Sequence, residues 1–322
     1  MNEEILFKSD PWEGIVKGSY PLKARSLYAK DDRFMVSTDD RGRRLFLVKD
    51  ILCLPQNLPD KLFGLELNYT ETTPNKLECF LDDEQLQHQF IIVAKDLAYC
   101  CSSLKGEEFF NEFFKVLYSW SAFLKPSRQG LGWRKYLGFV GELFQLRELL
   151  KFLPPAECID SWNGPDNKKQ DFAFGDFSVE VKSSASGDSN EVIISSLEQL
   201  QSTVPNLLLN VLRFQEDLLT EGEFTLEQLY KDIEDEIKCD FVAAREFAKK
   251  ASKLYSKASR EELLKPMVLV EQTLYKVKDN FPRLTPESIN QPGVLSVNYR
   301  INLNSAVDYI VDKTLQEIIS NE

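Results

Sequence analysis

Histidine is almost absent from this sequence. Its 322 residues contain a single histidine, His88. Ser-His-Asp hydrolases, HNH-type nucleases, histidine-metal hydrolases and most zinc sites place at least one histidine among other catalytic groups, and little of that kind surrounds His88. We therefore expect any hydrolytic chemistry in this chain to depend on carboxylates and lysine.

Cysteine pairs and long apolar runs are also lacking. The six cysteines form no CxxC pair and no dense framework, which favours free thiols in a reducing compartment over disulfides. The sequence begins Met-Asn-Glu-Glu and no long apolar run follows, so we predict neither a signal peptide nor a transmembrane helix. Together these features predict a cytoplasmic protein that makes no membrane contact.

An excess of positive charge is absent too. Lysine and arginine number 39 against 51 aspartate and glutamate residues, which gives a net charge of −12 at pH 7. Such a chain does not coat nucleic acid by bulk charge, so any DNA contact has to use local patches. The hydrophobic fraction of 43% is that of an ordinary globular protein, and the length allows one large or two modest domains.

The first part of the chain predicts a β-rich domain. Stretches of alternating apolar and polar residues between turn signals predict antiparallel strands at 33–37, 44–49, 62–69, 76–81 and 89–95. Aromatic residues then recur at helical spacing over 106–125, which predicts a helix with a buried aromatic face. Residues 126–132 break this pattern. We therefore predict an accessory domain over 1–127, ending in the aromatic helix, and a second domain over 128–322.

The second part alternates predicted helices and strands, as in an α/β domain with mixed strands. Helices are predicted at 137–152, from 197 to 201, at 226–237, at 242–265 and at 306–319. Strands are predicted at 172–174, 177–182, 192–195, 207–214, 267–277 and 294–303.

One predicted hairpin of the second part collects charged side chains. Gly175-Asp176 is a natural two-residue turn, which sets Asp171 directly opposite Glu180. Because cross-strand partners share a face and side chains alternate along a strand, Asp171, Glu180 and Lys182 fall on one polar face, and the reverse face is apolar.

This combination of groups suits phosphodiester chemistry. Two facing carboxylates repel each other unless a cation lies between them, and oxygen ligands favour Mg²⁺ or Mn²⁺. A lysine beside that cation can orient or deprotonate a water for in-line attack on phosphorus. Upstream, Glu142 lies in the predicted helix 137–152, where it is a candidate to complete the metal shell.

These residues, in this order, resemble a known family. Glu142 after a glycine in a helix, then Asp171, then Glu180-Val181-Lys182-Ser183-Ser184 resembles the PD-(D/E)XK nuclease superfamily, most sharply over 130–200. A wider pattern is similar to a PD-(D/E)XK group encoded among bacterial restriction and phage-defence genes: Trp162-Asn163-Gly164-Pro165, Ser195-Ser196 with Gln199-Leu200, and Phe281-Pro282-Arg283-Leu284.

The resemblance implies both a fold and an activity. The fold would be α/β, with a restriction-endonuclease-like mixed sheet flanked by helices beside the N-terminal β-rich accessory domain. The activity would be endonucleolytic hydrolysis of DNA in a restriction or phage-defence system, with Mg²⁺ as cofactor and Mn²⁺ as a substitute. Protein partners of a defence complex and a homodimer are further expectations, because double-strand cutting needs two active sites or two visits.

The resemblance also assigns roles to residues. Asp171 and Glu180 would bind the metal, Lys182 would position the attacking water, and Glu142 would be the helix carboxylate that supports the metal. Gln199 matches a glutamine that some members carry after the core strand.

One departure from the pattern leaves an alternative open. Asp171 follows Gln170 rather than a proline, whereas Asp166 follows Pro165 in a literal Pro-Asp pair. Hairpin geometry favours Asp171, because Asp166 would lie beyond the start of the strand. Asp166 stays as a reserve candidate.

Plainer interpretations accompany these hypotheses. Glu180 and Lys182 alone are more often an exposed cross-strand ladder than a catalytic pair. A helical stripe of basic residues is at least as often a solvated surface as a phosphate-binding one; its members are Lys249, Lys253, Lys257 and Arg260. The chain would then be a catalytically silent scaffold that binds DNA or proteins, and a third hypothesis is a nuclease acting on RNA or branched DNA.

Overall fold

The computed structural model describes residues 10–53, 55, 61–62, 64–120, 130–166, 169–201, 204–217, 223–285, 288–289 and 293–320. By its internal contacts the chain divides into two compact units, Met1–Ser127 and Arg128–Glu322. The residues at the predicted domain boundary, 126–129, lie outside the described residues.

The first unit contains one antiparallel sheet. Its strands are β1 (Arg25–Tyr28), β2 (Asp31–Thr38), β3 (Arg44–Lys49), β4 (Lys61–Leu62), β5 (Leu65–Thr70) and β6 (Lys76–Leu81), in the order β1-β2-β3-β6-β5-β4. The predicted hairpin around 39–42 joins β2 to β3, with Phe34 opposite Val48. Phe34 and Phe46 are buried on one face of the sheet, and their rings stack 6.2 Å apart.

Two helices follow the sheet in this unit, α1 (Gln87–Cys101) and α2 (Gly106–Ser119). The second is the predicted aromatic helix, and Phe109 packs edge-on against Phe34. The prediction of a strand at 89–95 was wrong. The buried residues of α1 recur at helical spacing, at Phe90, Val93, Ala94 and Leu97, and this period outweighs the β-branched run between them.

The second unit is built on a mixed four-stranded sheet. Its strands lie in the order β11-β10-β8-β7, where β8 and β10 are parallel and the other pairs are antiparallel. A separate two-stranded sheet pairs β9 with β12. The strand bounds are β7 Phe172–Phe174, β8 Phe177–Ala185, β9 Glu191–Ile194, β10 Asn206–Glu216, β11 Met267–Val277 and β12 Tyr299–Asn302.

Six helices complete the second unit: α3 (Trp133–Leu150), α4 (Pro155–Ser161), α5 (Leu226–Ile237), α6 (Phe241–Tyr255), α7 (Arg260–Leu264) and α8 (Leu315–Ile319), within the described residues. Two core clusters result. The larger joins the helices to one face of the four-stranded sheet, with Val179 and Val181 of β8 in it. The smaller joins the other face to β9 and β12, with Leu209 and Ile301 in it. Both faces of the sheet are therefore covered.

Three predictions near the C-terminal end need correction. The predicted helix at 242–265 is two helices, because Ser259 begins α7 with a capping box. The predicted strand at 294–303 is limited to β12. The predicted helix at 306–319 is a 3₁₀ segment at Leu303–Tyr309 followed by the short helix α8.

No helix among the described residues is both long enough and apolar enough to cross a membrane.

Candidate active site

The β7–β8 hairpin has the register that its two-residue turn predicts. Phe174 pairs with Phe177 and Phe172 with Val179 across Gly175-Asp176. The glycine adopts a φ of 51°, which favours a residue without a side chain. Strand β7 begins at Phe172, so the hairpin ladder ends just before Asp171.

Asp171 contacts β8 just beyond the end of the β7–β8 ladder. Its Oδ2 accepts a hydrogen bond of 2.8 Å from the backbone N–H of Val181, two residues past Val179, the last residue of β8 that pairs with β7. Its backbone carbonyl accepts hydrogen bonds from the N–H groups of Asn163, at 2.6 Å, and Gly164, at 3.3 Å. These contacts hold the Asp171 carboxylate at the middle of β8.

Glu180 is fully buried, which differs from the predicted polar face. Strand β8 is an interior strand, and Glu180 lies beside Leu209 of β10, a member of the smaller core cluster. Glu180 Oε1 lies 2.7 Å from the Nζ of Lys182 in an ion pair, and neither carboxylate oxygen of Glu180 has a hydrogen-bond partner among the described residues. Buried carboxylate oxygens without hydrogen bonds are costly, so they are available to a cation.

Lys182 lies between an acid and an amide. Its Nζ donates to the Oε1 of Gln199 at 3.1 Å and pairs with Glu180 on its other side. The Lys182 side chain is 16% exposed, against 1% for Glu180. Lys182 is thus the more accessible partner of this ion pair.

Glu142 reaches the same place from helix α3. Its Oε2 accepts a hydrogen bond of 2.8 Å from the indole Nε1 of Trp162. The Cα of Gly164 lies so close that an added Cβ would be 2.0 Å from Glu142 Oε2. One turn of helix is held tightly against β8, because a Cβ at Gly141 would lie 1.8 Å from the Oγ of Ser183. The glycines therefore bring the Glu142 carboxylate close to the sheet.

All three carboxyl groups have raised pKa values, and burial is the leading cause for each. Burial raises the pKa of Glu142 to about 8; the charge of Asp171 adds to the rise, and the Trp162 hydrogen bond and the charge of Lys182 oppose it. Burial also raises the pKa of Asp171, against the charge of Lys182 and the N–H of Val181. Burial and the charge of Asp171 raise the pKa of Glu180 well above its usual range, with Lys182 opposing. One ammonium group compensates three acids incompletely.

All five predicted site residues thus come together, and the reserve candidate does not join them. Asp166 lies in the 3₁₀ turn Gly164–Asp166 and pairs with the Nζ of Lys253 on α6. Lys253 belongs to the predicted basic stripe, so this member of the stripe serves an intramolecular contact. Asp171, not Asp166, is the aspartate beside Glu180.

Sequence reasoning missed several residues that support the site. Trp162 is buried, and its indole N–H donates a hydrogen bond to Glu142. Gly164 and Gln170 received no role. The segment Trp162-Asn163-Gly164-Pro165 was singled out in the resemblance, and that signal marks the residues that contact Glu142 and Asp171.

The chemical type of the ligand atoms at this site fits a hard divalent cation. The ligand oxygens on offer are buried carboxylate oxygens, and those of Glu180 lack hydrogen-bond partners, which suits Mg²⁺ or Mn²⁺. Among the described residues, no group of three or more histidine, cysteine, aspartate or glutamate side chains is arranged to hold a metal by itself. Mg²⁺ usually keeps several waters and takes one or two carboxylates, so a site of this kind needs no third protein ligand.

Comparison with known proteins gives one family. The model of the DUF4420 family, described as "Putative PD-(D/E)XK family member", matches residues 10–304. The match covers most of both units and includes every residue of the site. A search of the curated proteins found no match. A search of the solved structures found none either.

Proposed function

The chain belongs to the DUF4420 family of PD-(D/E)XK proteins, a nuclease-like family, and on this basis we propose that it is a divalent-metal-dependent endonuclease that hydrolyses DNA phosphodiester bonds. One observation carries the proposal. A lysine that is only 16% exposed lies between a buried carboxylate and a fixed amide, next to two further carboxylates.

Asp171 and Glu180 would hold the cation, for which Mg²⁺ is the proposed ion and Mn²⁺ a substitute. Asp171 accepts the Val181 N–H with one oxygen, and neither oxygen of Glu180 accepts a hydrogen bond among the described residues, so both residues retain oxygens for a cation. Glu142 supports this position from α3. When bound, the cation would stabilise the charge that develops on the phosphate and on the leaving oxygen.

Lys182 would orient the attacking water. An ammonium group has three N–H donors: Gln199 Oε1 accepts from one, and Glu180 Oε1 forms an ion pair with the group. A further donor is left for a water or a phosphate oxygen. Gln199 fixes the direction of that donor by holding the Nζ from the other side. Proximity and orientation of this kind account for much of an enzyme's rate enhancement.

The test is cleavage of supercoiled plasmid by the purified protein with Mg²⁺, Mn²⁺ or EDTA. We expect nicked or linear product with either metal and none with EDTA. Lys182→Met keeps the length of the side chain and removes the ammonium group, and we expect it to lower the cleavage rate at least about 100-fold. Lys151→Met is the matched control, because Lys151 lies on the same unit, is 60% exposed and pairs only with Glu148 in the described structure.

Equal cleavage by wild type and Lys182→Met would contradict the assignment of the site. Absence of cleavage by wild type on modified and unmodified DNA alike would favour the alternative, a catalytically silent scaffold. One observation favours that alternative: the Glu180–Lys182 ion pair partly compensates the buried charge without a metal. The net charge of −12 also suits protein partners better than loose DNA binding.

The substrate and its setting are part of the proposal. The motif carries no base readout, so linear, branched, single-stranded and RNA substrates should be compared with the plasmid. A restriction or phage-defence system is the proposed setting, with partner proteins of that system and a homodimer for double-strand cutting. If RNA is cleaved in preference to DNA, RNA becomes the proposed substrate and the proposed roles of the residues stay the same.

A further inference from the structure

The position of Lys182 depends on a short turn. The 3₁₀ turn Leu197–Leu200 carries Gln199, whose Oε1 accepts from the backbone N–H of Ser195 at 2.8 Å and from Lys182 Nζ at 3.1 Å. A carbonyl oxygen has two lone pairs, so these two donors saturate it. Any displacement of the turn therefore moves the acceptor that holds Lys182.

The turn has little structure of its own. It is four residues long, its N-cap residue Ser196 makes no side-chain capping hydrogen bond, and only Leu200 in it is buried. A 3₁₀ turn of this length has poorer hydrogen-bond geometry than an α-helix. Contacts from other elements therefore add to its rigidity.

Two side chains from distant parts of the chain supply that rigidity. Gln170 Nε2 donates to the backbone carbonyls of Glu198, at 2.6 Å, and Gln201, at 3.0 Å. Arg283 Nη1 donates to the carbonyl of Leu200. These two side chains thus bind backbone carbonyls on both sides of Gln199.

Gln170 also links the turn to the carboxylates. It is 7% exposed and precedes Asp171, whose carboxylate binds the Val181 N–H. Neighbouring residues therefore serve both parts of the site. Asp171 supplies one of the carboxylates, and Gln170 binds the turn that carries Gln199, the acceptor of Lys182. A proline, the residue that the name of the motif gives at this position, has no side-chain donor and could not make the contact to the turn.

We propose that Gln170, together with Arg283, is a positioning residue that fixes the Lys182 ammonium group through the Leu197–Leu200 turn and Gln199. Its effect on catalysis rests on the proposed nuclease function, whereas its effect on the order of the Lys182 side chain does not. The departure from the Pro-Asp pattern at position 170 thus has a structural purpose.

The experiment measures the order of Lys182 and the cleavage kinetics side by side. Gln170→Met has nearly the same volume and no donor, and Arg283→Met removes the second contact if the first variant fails to fold. Each is made in the wild type and in a Gln199→Met background. Gln228→Met is the matched control, because Gln228 is exposed on α5 and donates to Asp232 of its own helix.

The structural readout is the NMR order parameter of the Lys182 Cε methylene in protein labelled with ¹³C at lysine Cε, assigned by its loss in Lys182→Met. We expect a high value in the wild type and, in Gln170→Met and Arg283→Met, a fall toward but not to the level of Lys115, which is 74% exposed, because the Glu180 ion pair still restrains Lys182. The kinetic readout is kcat, expected to fall about 10- to 100-fold with KM nearly unchanged. In the Gln199→Met background neither variant should change either quantity further.

The outcomes separate this proposal from the proposed function. An unchanged order parameter of Lys182 in both variants, or equal losses with and without Gln199, would overturn the positioning role. Wild-type protein that cleaves no substrate would contradict the nuclease function, and the order parameters would still decide the role of Gln170. Loss of order in Gln228→Met would show a general loosening and would also count against the proposal.

Discussion

At the scale of single residues, the site combines three carboxyl groups with one ammonium group in a place from which water is largely excluded. Glu142, Asp171 and Glu180 all have raised pKa values, for which burial is the leading cause. A cation bound there would lower the cost of their charges. Without one, part of that cost has to appear in the stability of the folded chain.

The stability of the metal-free protein should therefore fall with rising pH. The pKa of Glu142 is about 8 in the folded protein and near its ordinary value of 4.5 in the unfolded chain. A raised folded pKa means that the stabilising contribution is complete below about pH 4.5 and is lost as pH rises through about 8. We expect a lower Tm at pH 8.5 than at pH 6 in EDTA, measured by calorimetry, and a smaller decline in Glu142→Gln.

Glu148→Gln is the control for this prediction. Glu148 lies on the same helix, is 32% exposed and pairs with Lys151, so its replacement should leave the decline as in the wild type. A Tm that rises from pH 6 to pH 8.5, or an equal decline in Glu142→Gln, would show that ionisation of Glu142 does not cause the loss of stability.

At the scale of secondary-structure elements, the contact between α3 and β8 decides how closely Glu142 approaches the sheet. An added Cβ at Gly141 would lie 1.8 Å from Ser183 Oγ and 3.1 Å from Ser183 Cβ. We expect Gly141→Ala to lower the free energy of unfolding by about 1–3 kcal/mol, because the helix has to move outward. Urea denaturation measures this difference.

Two further variants make that prediction specific. Ser183 Oγ is buried without a hydrogen-bond partner among the described residues, so Ser183→Ala should be nearly neutral and should recover part of the loss in Gly141→Ala. Gly138→Ala, where nothing lies within 4 Å of the added Cβ, should gain about 0.5–1 kcal/mol. A Gly141→Ala protein as stable as the wild type would contradict the close contact.

The start of α3 depends on a carboxylate from a distant helix. Glu262 of α7 accepts hydrogen bonds from the backbone N–H groups of Leu131, at 2.9 and 3.0 Å, and Gly132, at 3.0 Å. The Gly130-Leu131-Gly132 segment, which lacks the residues of a phosphate-binding loop, thus binds an anion of its own chain. An acid at a helix N-terminus also interacts favourably with the helix dipole.

Glu262→Gln should lower the free energy of unfolding by about 1 kcal/mol at pH 7. Burial opposes ionisation of Glu262, but the backbone hydrogen bonds outweigh it and its pKa is lowered. A lowered folded pKa means that this stability is present above the unfolded pKa and is lost in acid, so the variant and the wild type should converge as pH falls. Denaturation at pH 7 and in acid measures this difference. Glu261→Gln is the control, because the Glu261 side chain is 86% exposed.

At the scale of the whole molecule, the net charge limits how DNA would be held under the proposed function. A net charge of −12 means that such binding cannot rely on bulk charge and would use local basic patches. We expect the logarithm of the DNA-binding constant to fall with the logarithm of salt concentration with a slope no steeper than about −3. Binding titrations between low and physiological salt measure the slope. A slope of about −6 or steeper would require an extended basic surface and would contradict the limit.

Much of the chemistry and local structure follows from the sequence by itself. The single histidine directs the chemistry to carboxylates and lysine, and the Gly175-Asp176 turn sets the register that places Asp171 before the first pair of β7 and β8. These features are predictable because a two-residue turn and a strand period involve only neighbouring residues. The strand predicted at 89–95 failed because a short apolar run fits a helix or a strand equally well.

Only the tertiary structure decided the environment of the site. Glu180 is buried because β10 lies parallel to β8 and because β9 and β12 cover that face, and no local pattern specifies either arrangement. The hydrogen bonds from Trp162 to Glu142 and from Gln170 to the turn that carries Gln199 join residues 20 to 31 positions apart. Such contacts depend on how separate elements pack, whereas the spacing of residues along one strand depends only on backbone geometry.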